Sequence, residues 1–323
     1  ADVVCVAPAT ADFLARVACG LADDLLTAVL LATRAPVVLC PAMNDLMYSH
    51  PQTRENLQRL RERPGYHIVE PAVGPLAFGE GLGPGRMQEP AVIFEHIGRA
   101  LEADSPLRGR KVVVTAGPTR EPVDAVRFLS NRSSGRMGFS LAAAAWRRGA
   151  DVVLVSGPAA VAPPPGPQLR HVTTAAEMEA AVREELAGAA ALIMAAAVAD
   201  FRPARPAAGK IKKEHGLPSI ELEPAPDVLQ ATRDARAPGL VTVGFALETE
   251  DVRENARRKL VAKGLDLVVL NDATVPGAGF EVETNQVVIL DAAGGEERLP
   301  LMSKDDVAER IVDRVAALLG EQA

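Results

Sequence analysis

The runs "KVVVTAG" (Lys111–Gly117), "FLSNRSSGRMG" (Phe128–Gly138) and "FSLAAAAWRRG" (Phe139–Gly149) decide how the chain is read. An apolar strand, a loop of small residues and a helix start form a phosphate cradle, because free backbone N–H groups there face an anion. Ser133, Ser134 and Gly135 stand at that helix start, and Asn131 just before them adds an amide that both donates and accepts. A plain serine N-cap explains the same residues equally well at this point. The G-x-G-x-x-G spacing of a dinucleotide loop is absent: "GPTREP" puts Pro, Arg and Glu where pyrophosphate needs close backbone approach.

Working outward, apolar runs of strand length alternate with segments of helical period, which predicts an α/β fold with mostly parallel sheets. From Lys111 onward the expected strands are "KVVVTAG", "DVVLVSGP", "ALIMAAAV", "VTVGFALE", "LDLVVLND" and "QVVILDA", closed by the helix "SKDDVAERIVDRVAALLG". Before it lies a shorter series. "DVVCVAP", "PVVLCPAM" and "YHIVEP" read as strands, and Thr10 is placed to cap the helix "ADFLARVACG". "PQTRENLQRLRERPG" and "AVIFEHIGRALEA" read as helices, whereas "GPLAFGEGLGPGRM" is rich enough in glycine to predict an irregular loop. "DSPLRGR" reads as a short linker, so the expectation is two Rossmann-like domains, 1–104 and 105–323.

Composition narrows the function. A net charge of −7 argues against a general nucleic-acid or membrane-surface binder, and no apolar run approaches the ~20 residues that span a bilayer. Cys5, Cys19 and Cys40 show neither metal spacing nor pairing, which suits a reducing cytoplasm. The chain opens without methionine directly on a strand, and is read as a fragment lacking upstream sequence.

The chemistry-bearing residues cluster at strand ends. "AAAVAD" ends in Asp200, and Lys210, Lys212 and Lys213 follow soon after. Of 35 basic residues only 7 are lysine, and five of these are Lys210, Lys212, Lys213, Lys259 and Lys263. A chain that otherwise writes arginine points here to a need for compact ammonium groups, such as offsetting charge on a transferring phosphoryl group. Lys259 and Lys263 are spaced to share one helical face, although a lysine at a helix C-terminus also simply satisfies the dipole. Asp227, Phe245, Asn271 and Asp272 follow or end further strands as candidate base, ribose or metal contacts. His171 and His215 have no evident partners in the sequence. Together these features suggest a nucleoside triphosphate held with Mg²⁺ and attacked by an oxyanion, catalysis that is mostly positioning and charge neutralisation.

At these residues the sequence resembles the phosphopantothenate–cysteine ligase family. The matching stretches are "VTAGPTREPVDAVRFLSNRSSGRMG", "AAAVADFRPARPAAGKIKK", "PAPDVL", "VGFALET" and "RRKLVAKGLDLVVLND". The resemblance implies that 4′-phosphopantothenate and CTP form an acyl-cytidylate with release of pyrophosphate, and that the cysteine amine then displaces CMP. It gives Lys210 the activation step and Asn131 the handling of the acyl-nucleotide. It gives nucleotide contacts to Ala196, Asp200, Pro226, Asp227, Val228, Leu229, Phe245, Lys259 and Lys263.

The first part resembles the flavin-dependent phosphopantothenoylcysteine decarboxylase family, through "APATADFLARVACGLADDLLT", "PAMN" and "GLGPGRMQEP". That resemblance implies FMN contacts at Pro8, Ala9 and Thr10 and a substrate contact at Asn44. The family's catalytic histidine falls upstream of residue 1. Phe78 stands where the family often has a proton-donating cysteine, and a phenylalanine cannot protonate the enethiolate, so whether this chain decarboxylates is left open by the sequence. The implied assembly is a homo-oligomer: a dimer through the ligase domain, and a trimer-based assembly through an intact decarboxylase domain. Two rival readings are a nicotinamide-dependent oxidoreductase on the same kind of sheet and a non-catalytic flavin- or partner-binding scaffold.

Overall fold

The computed structural model describes residues 1–76, 81–102, 104–212, 219–248, 252–272, 279 and 282–321. Two compact units divide the chain, Ala1–Asp104 and Ser105–Ala323.

In the first unit, β1 (Val4–Ala9) leads through α1 (Ala11–Cys19) and α2 (Leu25–Ala32) to β2 (Val37–Pro41). The Thr10 hydroxyl accepts the Phe13 N–H at 3.2 Å, and Gly20 closes α1 in the left-handed conformation. Asp24 starts α2 with a reciprocal capping box to Thr27. Short α3 (Asp45–Ser49) and amphipathic α4 (Pro51–Arg61) precede β3 (Tyr66–Ile68), which completes a parallel sheet in the order β1-β2-β3. Leu14, Val17, Leu57 and Leu60 pack against Leu39 on one face.

The glycine-rich segment is not the irregular loop its composition predicts. β4 (Ala72–Pro75) and β5 (Leu82–Arg86) pair antiparallel, with Gly74 opposite Gly83. The glycines serve close approach instead: a Cβ on Gly85 would stand 2.2 Å from the Met43 carbonyl oxygen, whose own N–H donates to Gly85. Helix α5 (Pro90–Leu101) follows and buries Ile93 and Ala100 beside Val38 and Cys40.

The second unit opens with β6 (Lys111–Ala116), then the antiparallel ribbon of β7 (Arg120–Pro122) and β8 (Phe128–Ser130), and α6 (Arg136–Arg147). It continues through β9 (Asp151–Ser156), β10 (Gln168–His171), α7 (Ala175–Glu185) and β11 (Ala189–Met194). A second ribbon pairs β12 (Phe201–Pro203) with β13 (Leu222–Pro224), and α8 (Val228–Ala231) leads to β14 (Val241–Glu248). Then come α9 (Val252–Lys263), β15 (Leu267–Asp272), β16 (Thr284–Asn285), β17 (Val287–Asp291), β18 (Glu296–Arg298), β19 (Met302–Ser303) and the long α10 (Lys304–Glu321).

The main sheet runs β10-β9-β6-β11-β14-β15-β17-β18, parallel from β10 to β15 and antiparallel at the β17 and β18 edge. In chain order the parallel strands read 3-2-1-4-5-6, the doubly wound arrangement. Strand side chains alternate between two cores, as a pleated sheet covered on both faces requires. Val112, Val114 and Ile193 meet α6 and α10, while Val113, Leu192 and Met194 meet α7 and α8. Truncating a fully buried residue such as Leu192 to alanine costs about 2–5 kcal/mol.

The polar edge strand β10 and the ribbons were not expected from the sequence, because none carries a long apolar run. Among the described residues no helix is long and apolar enough to cross a membrane.

Candidate active site

Strand order reverses between β6 and β11, and α6 and α8 pack on opposite faces of the sheet. The chains leaving these two strands therefore part, and open α/β sheets bind ligands in the crevice so formed. A cavity of about 520 Å³ lies there. Residues from the α6 start, the loop after β11, α8, β14 and α9 line it, together with Asn271, Gly279, Asn285 and Lys304.

Its floor is stitched between the two loops. The buried Thr115 hydroxyl oxygen accepts the Ala196 N–H at 3.1 Å, and the Thr119 oxygen accepts that of Ala199 at 3.0 Å. Ala197 N–H meets the Gly117 carbonyl at 2.9 Å, and Ala225 N–H meets that of Asp200 at 2.9 Å. Asn131 closes the same seam. Its Nδ2 donates to the carbonyls of Ala197 at 3.1 Å and Val198 at 3.0 Å, an orientation that leaves the amide oxygen as the group it offers a ligand.

At the cradle the N-cap is Gly135, at φ 82°, with no side-chain cap bond; neither serine caps α6. A Cβ at Gly135 would stand 2.8 Å from that of Ala159, so both backbone sign and space select glycine. The serines fix the approach to the helix: Ser133 Oγ accepts the Gly135 N–H at 3.3 Å, and Ser134 Oγ accepts that of Arg136 at 3.4 Å. The Ser133 hydroxyl, which accepts in this way, has a proton that can be donated to an anion.

To the same cavity α9 contributes both Lys259 and Lys263. Lys259 Nζ donates to the Phe245 carbonyl at 2.6 Å, and Lys263 Nζ pairs with Asp227 at 2.7 Å. Lys263 thus does more than meet its helix dipole. Burial pushes the Asp227 carboxyl up, but Lys263, the Gln230 N–H and the Lys259 charge outweigh it and hold it below its ordinary value. Arg236 locks this part of the cavity wall, donating to the carbonyls of Lys263 at 2.9 Å, Gly264 at 3.2 Å and Leu229.

The cavity gathers Asn131, Ser133, Ser134, Gly135, Ala196, Asp200, Pro226, Asp227, Val228, Leu229, Phe245, Lys259 and Lys263. Lys210 is not among its lining residues; it is exposed on the strap that follows β12. Lys213, His215 and Phe78 lie outside the described residues. In the first unit Pro8 and Ala9 end β1, Thr10 follows as the α1 N-cap, and Asn44 follows β2, the two strand ends joined by Ala42 N–H to Ala9 O at 3.1 Å. Asn44 caps α3 by accepting the Leu46 N–H at 2.9 Å.

Lys304, Arg136 and Asn285 also line the cavity, although the sequence pattern had not marked them as site residues. Lys304 is 3% exposed and donates to the Gly279 carbonyl at 2.8 Å, with burial and then the Arg136 charge lowering its pKa. The scarcity of lysine that flagged Lys210 and Lys259 would have flagged it too. Asn271 Oδ1, also on the cavity, is buried without a hydrogen-bond partner among the described residues. An unpaired buried acceptor is costly, so it is suited to a ligand N–H or O–H. Among the described residues no group of three His, Cys, Asp or Glu side chains could hold a metal ion.

Two family models match the chain: "Flavoprotein" over residues 1–102 and "DNA/pantothenate metabolism flavoprotein C-terminal domain" over residues 107–319. The coenzyme A biosynthesis bifunctional protein CoaBC of Bacillus subtilis is 44% identical, the alignment covering 98% of this chain and 78% of that one. The chain belongs to the CoaBC family. The CoaBC of Mycobacterium tuberculosis strain H37Rv is 47% identical over 99% of this chain and 79% of its own. The crystal structure of a CoaBC C-terminal domain is 35% identical with a TM-score of 0.58, covering 68% of this chain and 100% of that one. Membership makes this protein an enzyme of coenzyme A biosynthesis, in a family of phosphopantothenate–cysteine ligases and decarboxylases with a flavoprotein unit. The two α/β units with mostly parallel sheets are the architecture that the alternation of strand-length and helix-period segments predicted. A nicotinamide site fits less well, since the chain leaving β6 runs through the β7–β8 ribbon before α6 instead of turning tightly into it.

Proposed function

We propose that the second unit is the ligase, that CTP is its nucleotide, and that the cavity at the strand-order reversal binds it. The carboxylate of 4′-phosphopantothenate attacks the α-phosphorus of CTP. Pyrophosphate leaves, and the acyl-cytidylate forms. The cysteine amine then attacks the acyl carbon, CMP leaves with the bonding electrons, and an amide remains. What carries this reading is one observation: an anion cradle at the α6 start and two lysines of α9 face one cavity, with an amide on its seam. Such an arrangement positions and neutralises phosphates, and among its described lining residues it holds no Cys or His nucleophile.

In this reading the α6 start with Ser133 and Ser134 holds phosphate, and Lys259 and Lys263 offset further charge. Asn131 directs its oxygen to the activated carboxyl. Mg²⁺ enters with the triphosphate, since nucleotide phosphates supply most of its ligands. Lys210 acts from the strap on the activation step.

The first unit would hold FMN at the ends of β1 and β2, where Pro8 and Thr10 are exposed and Asn44 is half-buried. A bound flavin supplies the electron sink for decarboxylating the ligation product. We place the protein in the cytoplasm, as its free Cys5, Cys19 and Cys40 suit. It assembles as a homo-oligomer through exposed apolar residues of the two ribbons, Phe128, Phe201 and Leu222.

The test mixes the protein with CTP, Mg²⁺, 4′-phosphopantothenate and cysteine, and follows pyrophosphate. Release that depends strictly on phosphopantothenate supports the ligase. No release with any nucleotide overturns it and favours a non-catalytic scaffold.

A further inference from the structure

Lys210 is exposed, yet the chain on either side of it is tied down. Upstream, Ala204 N–H donates to Glu221 O at 3.0 Å, and Ala207 N–H donates to Val123 O at 3.0 Å. Immediately downstream, both backbone groups of Ile211 are held. Its N–H donates to Asp124 Oδ2 at 3.1 Å, and its carbonyl accepts from the Arg127 guanidinium at 3.2 Å. Asp124 and Arg127 belong to the turn between β7 and β8, and the Asp124 side chain is wholly out of solvent.

The two oxygens of Asp124 divide their work. Oδ1 accepts the N–H groups of Val126 and Arg127, both at 2.8 Å, which is all that a tight Asx turn requires. Oδ2 takes Arg127 Nε at 3.0 Å, the other guanidinium nitrogen, and the Ile211 N–H. A turn-forming aspartate does not need that second set. Arg127 and these N–H donors hold the carboxyl well below the usual range, so it stays ionised at neutral pH.

We infer that Asp124 is a positioning residue, its carboxylate clasping the Lys210 strap to the β7–β8 turn and so setting where the Lys210 ammonium stands. This rests on the reading of Lys210 as the residue of the activation step. Charged hydrogen bonds are the strong ones, and two meet at Ile211, the neighbour of Lys210. The strap is then a short lever with a fixed root, and a small shift at Asp124 moves the ammonium.

The decisive variant is Asp124→Asn. One amide oxygen still serves the turn, while the NH₂ group faces the Ile211 N–H and the guanidinium, donor against donor. Hydrogen exchange of the full-length protein should rise about tenfold or more across residues 204–212, the size of effect a lost charged hydrogen bond gives. Peptides from β6 and β11 should keep their protection. The acyl-cytidylate should form more slowly in the variant, and no slower in Asp124→Asn/Lys210→Gln than in Lys210→Gln alone. Unchanged exchange in the strap overturns the clasp. A rate loss that persists in the Lys210→Gln background overturns action through Lys210. Normal intermediate formation in Lys210→Gln itself removes the catalytic half of the inference, while exchange still reports the clasp. If Asp124→Asn loses the β6 and β11 protection, Arg127→Met decides in its place. That variant frees the Ile211 carbonyl and leaves the Oδ1 contacts, so it must raise strap exchange or the clasp is wrong.

Discussion

Replacing Gly138 by alanine puts the packing beneath the proposed phosphate cradle to a direct test. Gly138 lies in the first turn of α6, where the helix crosses the end of β6. A Cβ there would stand 2.5 Å from Ala116 Cβ, 2.8 Å from Thr115 O and 2.9 Å from Ala116 Cα. None of these atoms can swing away, so helix or strand must move. Overpacking of this kind costs about 1–3 kcal/mol, and rigid neighbours on all three contacts place it near the upper end. Alanine returns about 1 kcal/mol of helix propensity. The net expectation is a loss of about 2 kcal/mol, which lowers the melting temperature of a domain this size by roughly 4–8 °C. Calorimetry measures it, with Gly320→Ala in α10 as the control. There the nearest atom to a new Cβ is Pro106 Cγ at 3.8 Å, ordinary contact, so the same substitution should gain about 0.5–1 kcal/mol. The two variants must shift in opposite directions. A Gly138→Ala protein melting at or above the wild-type temperature would falsify the close α6–β6 contact on which the cradle rests. Because Thr115 also holds the Ala196 N–H, the displaced variant should bind CTP more weakly as well.

Three further outcomes follow from the same geometry. Lys210→Gln should block acyl-cytidylate formation, and normal intermediate levels in a quenched-flow assay would refute its role. Asn131→Asp keeps the shape but loses the donors to Ala197 and Val198; it should leave the intermediate to accumulate and slow its use, so unaltered turnover would remove Asn131 from the site. Asp227→Asn retains an oxygen for the Gln230 N–H and loses both the charge and the acceptor facing Lys263. At neutral pH it should cost about 0.2–1 kcal/mol, as half-exposed pairs do. The folded carboxyl is depressed, so this stability is fully present above the unfolded carboxylate pKa and is lost as pH falls through the folded value. The gap between wild type and variant, followed by denaturant titration, should close in acid; a gap that persists there would rule out the ion pair as its source.

Much of the fold was legible because the deciding information is local. "KVVVTAG", "DVVLVSGP" and "ALIMAAAV" are apolar on both faces, which only a strand covered on both sides requires, and they became β6, β9 and β11. Thr10 was readable as a cap and Lys259 and Lys263 as one helical face, since each depends on neighbours within a turn. The β4–β5 pair was misread because glycine signals a loop in composition but close backbone contact in three dimensions, here against Met43 and Asp45.

The cavity's membership separates what the chain's own pattern determines from what tertiary structure decides. Residue types and spacing alone pointed to a helix start able to face an anion, a lysine face and an acidic strand end. Only the 3-2-1-4-5-6 strand order brings the loop after β6 against the loop after β11. Only the packing of α10 on α6, through Phe139, Ile311 and the Ser140–Asp305 hydrogen bond of 2.6 Å, carries Lys304 to the same cavity. Periodicity specifies which face of each element is buried, but it does not say which distant element covers that face; that choice is made by how the layers close over a shared core.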